Sequence, residues 1–179
     1  MQTVSWILST GAILFDIAAS LTKGDKNMLK ILAFILLSNL SIAISYVLNF
    51  FINGDGLNGS FSCFLGAAIC LVNFFFNKQK KPIPLWLSGI YAVCFVAVNF
   101  ITEVTWTTAI AIAACLTFVM SVIQDTGRMF RVWTLSNCIL WCIYDIAAQA
   151  YQSLFTHFVL TLFFVAGIII HDRKPKAEK

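Results

Sequence analysis

Between Lys30 and Lys78 the chain carries one charged side chain, Asp55; between Lys81 and Asp125 one, Glu103; and between Arg131 and Asp172 one, Asp145. Intervals this long and this apolar leave too little polar surface to cover a water-soluble core. Each divides into two apolar runs of about 17–25 residues, the length that crosses a hydrocarbon layer, and a seventh run precedes the first lysines. The runs lie at roughly 4–22, 29–52, 61–77, 83–101, 106–123, 130–151 and 154–171. In lipid, only a helix satisfies every backbone group within such a segment. The chain is therefore expected to be an all-α integral membrane protein of seven transmembrane helices. Composition agrees: 11% of residues are charged, against about 25% in an ordinary soluble domain.

The lysines and arginines set the expected topology. Lys23, Lys26 and Lys30 surround the first loop, and Lys78, Lys80 and Lys81 the third. Arg128 and Arg131 flank the fifth, and Arg173, Lys174, Lys176 and Lys179 form the tail. Seven spans put all of them on one side, opposite Asp55 and Glu103. The positive-inside rule makes that side cytoplasmic, with the N-terminus outside. No basic region precedes the first run, so it reads as a retained span rather than a signal peptide. The basic residues form no aromatic-interleaved stripe on a soluble face, so nucleic acid is not an expected partner. The six cysteines lie inside apolar runs without a CxxC pair. They read as small buried hydrophobes, not as a disulfide framework or a metal site.

Laid over each other without a gap, Lys30 falls on Arg128, Ser38 on Ser136, Asn39 on Asn137 and Tyr46 on Tyr144. Thus KILAFILLSNLSIAISY matches RMFRVWTLSNCILWCIY, and each is followed by a polar turn, another apolar run and a basic exit. Two three-helix units with basic loops on the same side need one extra span between them. The expected layout is a first unit over 1–81, a linker helix over 82–103 and a second unit with a basic tail over 104–179. In transporters built from repeats, the site lies between them near the midplane.

From RMFRVWTLSNCILWCIYDIAAQAYQSLFTHFVLTLFFVAGIIIHDRK the chain resembles the YgjV-type bacterial inner-membrane proteins. An arginine leads into a tryptophan, a Ser/Thr-rich centre, a second tryptophan and a polar exit. That resemblance implies a multi-pass protein of the bacterial inner membrane. The three-one-three layout is also similar to the SWEET sugar transporters and the PnuC-type vitamin-precursor transporters. The prolines of the SWEET repeat helices have no counterpart, since the only prolines are Pro82, Pro84 and Pro175. An aromatic and amide site of the PnuC sort suits Asn137 and Trp141 better, as analogy at fold level.

Asp16 and Asp145 are the carboxylates set well inside apolar runs. A charge at the bilayer centre costs at least ~2.5–3.5 kcal/mol on insertion scales, so such acids usually face a cavity and handle substrate or protons. The plainer alternative is a hydrogen-bonded structural acid. Thr134, Asn137, Trp141 and Tyr144 form a stripe leading to Asp145. Aromatic faces that stack on planar rings, with an amide to read ring nitrogens or hydroxyls, are how ligand pockets are commonly lined. The same residue types also mark membrane interfaces and bond neighbouring helices. Asn39 and Asn137 either hold a ligand between two amides across the repeat axis or bridge helices within each unit. Asn73 in the third span is a further substrate-contact candidate. His157, with Thr161 one turn on, could relay protons or contact substrate; His171 reads as solvated among the charges of the exit.

Tyr144-Asp145 lacks the GxGD partner of an intramembrane aspartyl protease. HExxH and P-loop motifs are also missing from the sequence. No enzyme, metal or cofactor is expected. The expected function is transport of a small solute, such as a vitamin precursor or nucleoside-like molecule, through a midplane site. The alternative is a non-transporting sensor or assembly partner whose polar residues only pack helices. Expected partners are the bilayer and the solute, with a homo-oligomer left open.

Overall fold

A computed structural model of the chain describes residues 1–24, 27–53, 57–100, 106–147 and 149–172. Seven helices occupy them: α1 Gln2–Leu21, α2 Met28–Asn53, α3 Leu57–Lys78, α4 Leu85–Phe100, α5 Trp106–Val122, α6 Gly127–Ala147 and α7 Tyr151–His171. No strand occurs among the described residues. One helix stands in each apolar run. α1, α2, α3 and α7 are long and apolar enough to cross a membrane, whereas α4 and α5 are apolar but shorter. α6 has the length, at 21 residues; its polar and charged side chains lower its hydropathy. Of the charges that carry the topology argument, Lys26, Asp55, Glu103, Arg173, Lys174, Lys176 and Lys179 lie outside the described residues.

Two helix ends differ from the apolar runs for local reasons. α4 starts only at Leu85, because Pro82 and Pro84 withhold backbone donors and keep the residues before them extended. α6 stops at Ala147 rather than near 151. Gln149 takes the left-handed conformation at φ 56°, and the Ala150 N–H closes onto Asp145 O at 2.8 Å. This is a Schellman-type ending that turns the chain directly into α7. α3 ends the same way, with Lys80 at φ 55° and Lys81 N–H on Phe76 O at 3.0 Å.

α1 and α5 pack largely through small residues. α1 buries Ser5, Ala12, Ala19 and Ser20, and α5 buries Thr108, Ala111, Ala114, Cys115 and Ser121. Ile7, Leu14, Trp86, Val93 and Phe155 are exposed instead. Hydrocarbon gives no hydrophobic push between helices, so association rests on close approach of backbones and on interhelical hydrogen bonds. An outer surface of large apolar side chains suits lipid and would be an aggregation surface in water.

α2 packs between α1 and α3, and α6 packs between α5 and α7. Two seams join these triplets, α1 against α7 and α3 against α5, while α4 lies on α3 and α5. The C-terminal ends of α1, α3, α5 and α7 gather with the starts of α2, α4 and α6. Lys23, Lys80, Lys81 and Arg128 cluster there, and this is called the basic end below. Near it, Phe130 and Phe164 are fully buried against each other, with ring centroids 6.1 Å apart.

Candidate functional site

Along α6 the polar stripe does not point in one direction. Eight residues at about 100° each turn a side chain by about 80°, so Asn137 and Asp145 face different neighbours. The Asn137 amide donates to Ala114 O of α5 at 2.6 Å and approaches Thr117 Oγ1 at 3.5 Å. Thr134 turns its hydroxyl back onto Phe130 O of its own helix at 2.8 Å. Both residues are buried. One turn further, the stripe changes character.

Asp145 is only 3% exposed, and its Oδ2 meets His157 Nδ1 of α7 at 2.7 Å. The His157 ring lies parallel to the Trp141 indole, with centroids 5.8 Å apart and planes at 12°. Tyr144 sets its edge against the same indole, at 5.3 Å and 82°. Ser153 Oγ lies 3.4 Å from His157 Nδ1. The short turn after Ala147 creates this cluster, because it folds α7 back along α6 and brings His157 level with Trp141 and Asp145. From the other triplet, Tyr46 of α2 comes within electrostatic reach of Tyr144 and Asp145. Trp141, Tyr144, Asp145 and His157 are therefore gathered in the half of the bundle remote from the basic end.

The remaining candidates stand apart from that cluster. Asp16 faces Ser38 of α2 and lies within electrostatic reach of Cys63 and Cys70 on α3 and Cys138 on α6. It is half-buried. Asn39 donates to Ile35 O of its own helix at 2.9 Å, and its Oδ1 lies over Gly66 of α3, where a Cβ would come within 2.6 Å. Asn73, fully buried, donates to Val122 O at 2.9 Å and accepts from the Tyr91 hydroxyl at 3.0 Å. It ties α3 to both α4 and α5. Asn39 and Asn137 thus each face a helix of their own triplet.

A second polar assembly, at the basic end, is one that the reading of the sequence misses. Arg131, which flanks the fifth loop in the sequence, is fully buried. Its Nε and Nη2 bind the two carboxylate oxygens of Asp172 at 2.8 and 2.6 Å, and its Nη1 donates to Thr22 O at 2.9 Å. His171, expected to be solvated, donates from Nε2 to Leu21 O at 2.9 Å. The available signal was the placement of Arg131 one turn inside its helix, with the tail's lone nearby acid, Asp172, at the end of the helix that folds back on it. Two cavities of about 700 and 540 Å3 open at this end. None of the nine candidate residues lines either one.

The comparisons with known proteins add no relative: no family model, curated protein or solved structure matches the chain.

Proposed function

We propose that the chain is a small-solute transporter of the bacterial inner membrane, made of two parallel three-helix repeats, α1–α3 and α5–α7, joined by α4. Its basic end faces the cytoplasm, and it belongs with the YgjV-type proteins. The observation that carries the transport reading is the Trp141–Tyr144–Asp145–His157 cluster. A buried acid paired with an imidazole inside a helix hairpin is costly in a membrane, and such groups are usually retained for work. Stacked aromatic faces beside them suit a flat polar solute, such as a vitamin precursor or nucleoside.

Several features support the repeat. Each seam pairs the first helix of one unit with the third helix of the other, as a two-fold axis along the membrane normal requires. Ser20 and Ser121 occupy the last turns of α1 and α5, and each returns its hydroxyl to the carbonyl three residues back at 2.7 Å. His171 at the end of α7 donates to Leu21 O of α1, and Asn73 near the end of α3 donates to Val122 O of α5. These pairings repeat the same contact in both halves.

The engagement of Asn39, Asn73 and Asn137 in helix contacts favours a second reading, in which the polar residues serve packing alone and the protein does not transport. A thermal-shift screen of purified protein against nucleosides, vitamin precursors, sugars and amino acids separates the two. Transport predicts a stabilising solute whose effect is lost in Trp141→Ala. A screen without a hit, or a hit indifferent to Trp141→Ala and His157→Ala, favours the packing reading.

A further inference from the structure

The two seams are fastened differently. α4 lies across α3 and α5, and its Tyr91 hydroxyl holds the Asn73 amide that bonds Val122 O. The chain's own linker therefore straps the α3–α5 seam. Among the described residues, α1 and α7 have no helix laid across them in this way. At their basic end, the Arg131 Nη1 donor to Thr22 O and the His171 donor to Leu21 O cross the seam. Behind these bonds, Gly167 of α7 lies so close that a Cβ there would run into Ser20 O.

From this asymmetry we infer that the Arg131–Asp172 clamp on Thr22 is the gate at the basic end. The bundles part along α1 and α7, and the strapped α3–α5 seam serves as the hinge. The inference rests on the transport reading for its purpose.

The bonding explains how such a gate opens at low cost. Arg131 and Asp172 both belong to the second unit, so their ion pair moves as one body and neither charge is left alone. Stranding one partner of a buried pair is the expensive event, and this geometry avoids it. Opening breaks the bonds to Thr22 O and Leu21 O and parts the close backbone approaches of Gly167 to Ser20 and of Gly127 to Gly24. Those carbonyls lie at the C-terminal end of α1, where helices lack internal partners and water readily substitutes. The 700 Å3 cavity, lined by Lys23, Asn27, Arg128, His171 and Asp172 among others, reaches the clamp from the basic end. Behind it, Gly167 meets the Ser20 backbone directly, with only the Arg131 side chain of its own unit beside the contact. Asp172 is a positioning residue: its two oxygens hold the guanidinium plane so that the remaining Nη1 aims at Thr22.

Hydrogen–deuterium exchange of the full chain in lipid nanodiscs tests the gate without a solute. Arg131→Lys retains the charge but cannot bind Asp172 with a fork and still reach Thr22 O. Gly167→Ala leaves every charge in place and forces the seam apart. Both are expected to speed amide exchange about tenfold or more at 18–24 and 166–172, since each loses at least one charge-assisted bond or the close approach behind it. Exchange at 73–78 and 118–122 stays unchanged, whereas Tyr91→Phe produces the opposite pattern. A clamp that is only a structural tie would loosen α6 and α7 along their length as far as Asp145. That result, equal acceleration of both seams, or no change at α1 and α7 in either variant overturns the gate. Gly167→Ala keeps the test open if Arg131→Lys fails to fold. A seam that opens in a protein that binds no solute sinks the transport reading alone; a bound solute with both seams loosening alike sinks the gate alone.

Discussion

Replacing Asp145 separates a bonded site from a merely polar position. In Asp145→Ala, His157 Nδ1 loses its 2.7 Å partner and is left with the longer contact to Ser153 at 3.4 Å. A hydrogen bond to a charged group contributes about 1.5–3 kcal/mol, and an orphaned buried donor adds a desolvation cost of similar size. With His157 only partly buried, at 23% side-chain exposure, the lower end of the combined range applies, about 3 kcal/mol. Asp145→Asn has nearly the same shape and its amide oxygen still accepts from the ring. It loses only the difference between charged and neutral bonds, about 1 kcal/mol. Equilibrium unfolding in mixed detergent micelles reads both variants, and Trp141→Phe, which retains a stacking face, should fall closer to wild type than Trp141→Ala. If Asp145→Ala and Asp145→Asn cost the same, or if neither departs from wild type by more than about 0.5 kcal/mol, the bond to His157 is not what holds Asp145 in place.

Two further outcomes follow from contacts elsewhere in the bundle. Gly66→Ala puts a Cβ 2.6 Å from Asn39 Oδ1 and should destabilise by about 1 kcal/mol, the lower end for an overpacked site because an amide can swing aside. Adding Asn39→Ala should recover most of that loss in the same unfolding assay. Asn73→Leu, which removes two bonds, should cost about 2 kcal/mol and Tyr91→Phe about 1 kcal/mol, and the double variant less than their sum, since both remove one shared bond. Full additivity would mean that Tyr91 and Asn73 act separately.

The helices were legible because lipid reduces the problem to length and polarity. Each apolar run became a helix, and even the tight sixth connection was visible in how little polar sequence separates the sixth and seventh runs. The end of α6 was not legible, because a left-handed Gln149 carries none of the glycine signal that usually marks such a turn. Trp141, Tyr144 and Asp145 could be singled out on one helix. Their meeting with His157 depended on the register of α6 against α7, which helical spacing does not supply. The amides show the opposite limit. Asn39 and Asn137 match by sequence and look like a pair, yet the direction of each side chain is set by its own neighbour, Gly66 in one case and Ala114 O in the other. Arg131 was hidden by its own plausibility as a topology charge, for counting a residue toward the positive side says nothing about whether it is solvated.

Uptake into proteoliposomes tests transport without any inference from the fold. Vesicles holding the purified protein are incubated with a mixture of nucleosides, vitamin precursors, sugars and amino acids, and their washed contents are compared by mass spectrometry with protein-free vesicles. At least one planar polar solute is expected to accumulate faster with the protein, and Trp141→Ala to abolish the difference. Lumenal contents matching those of protein-free vesicles for every solute would contradict transport.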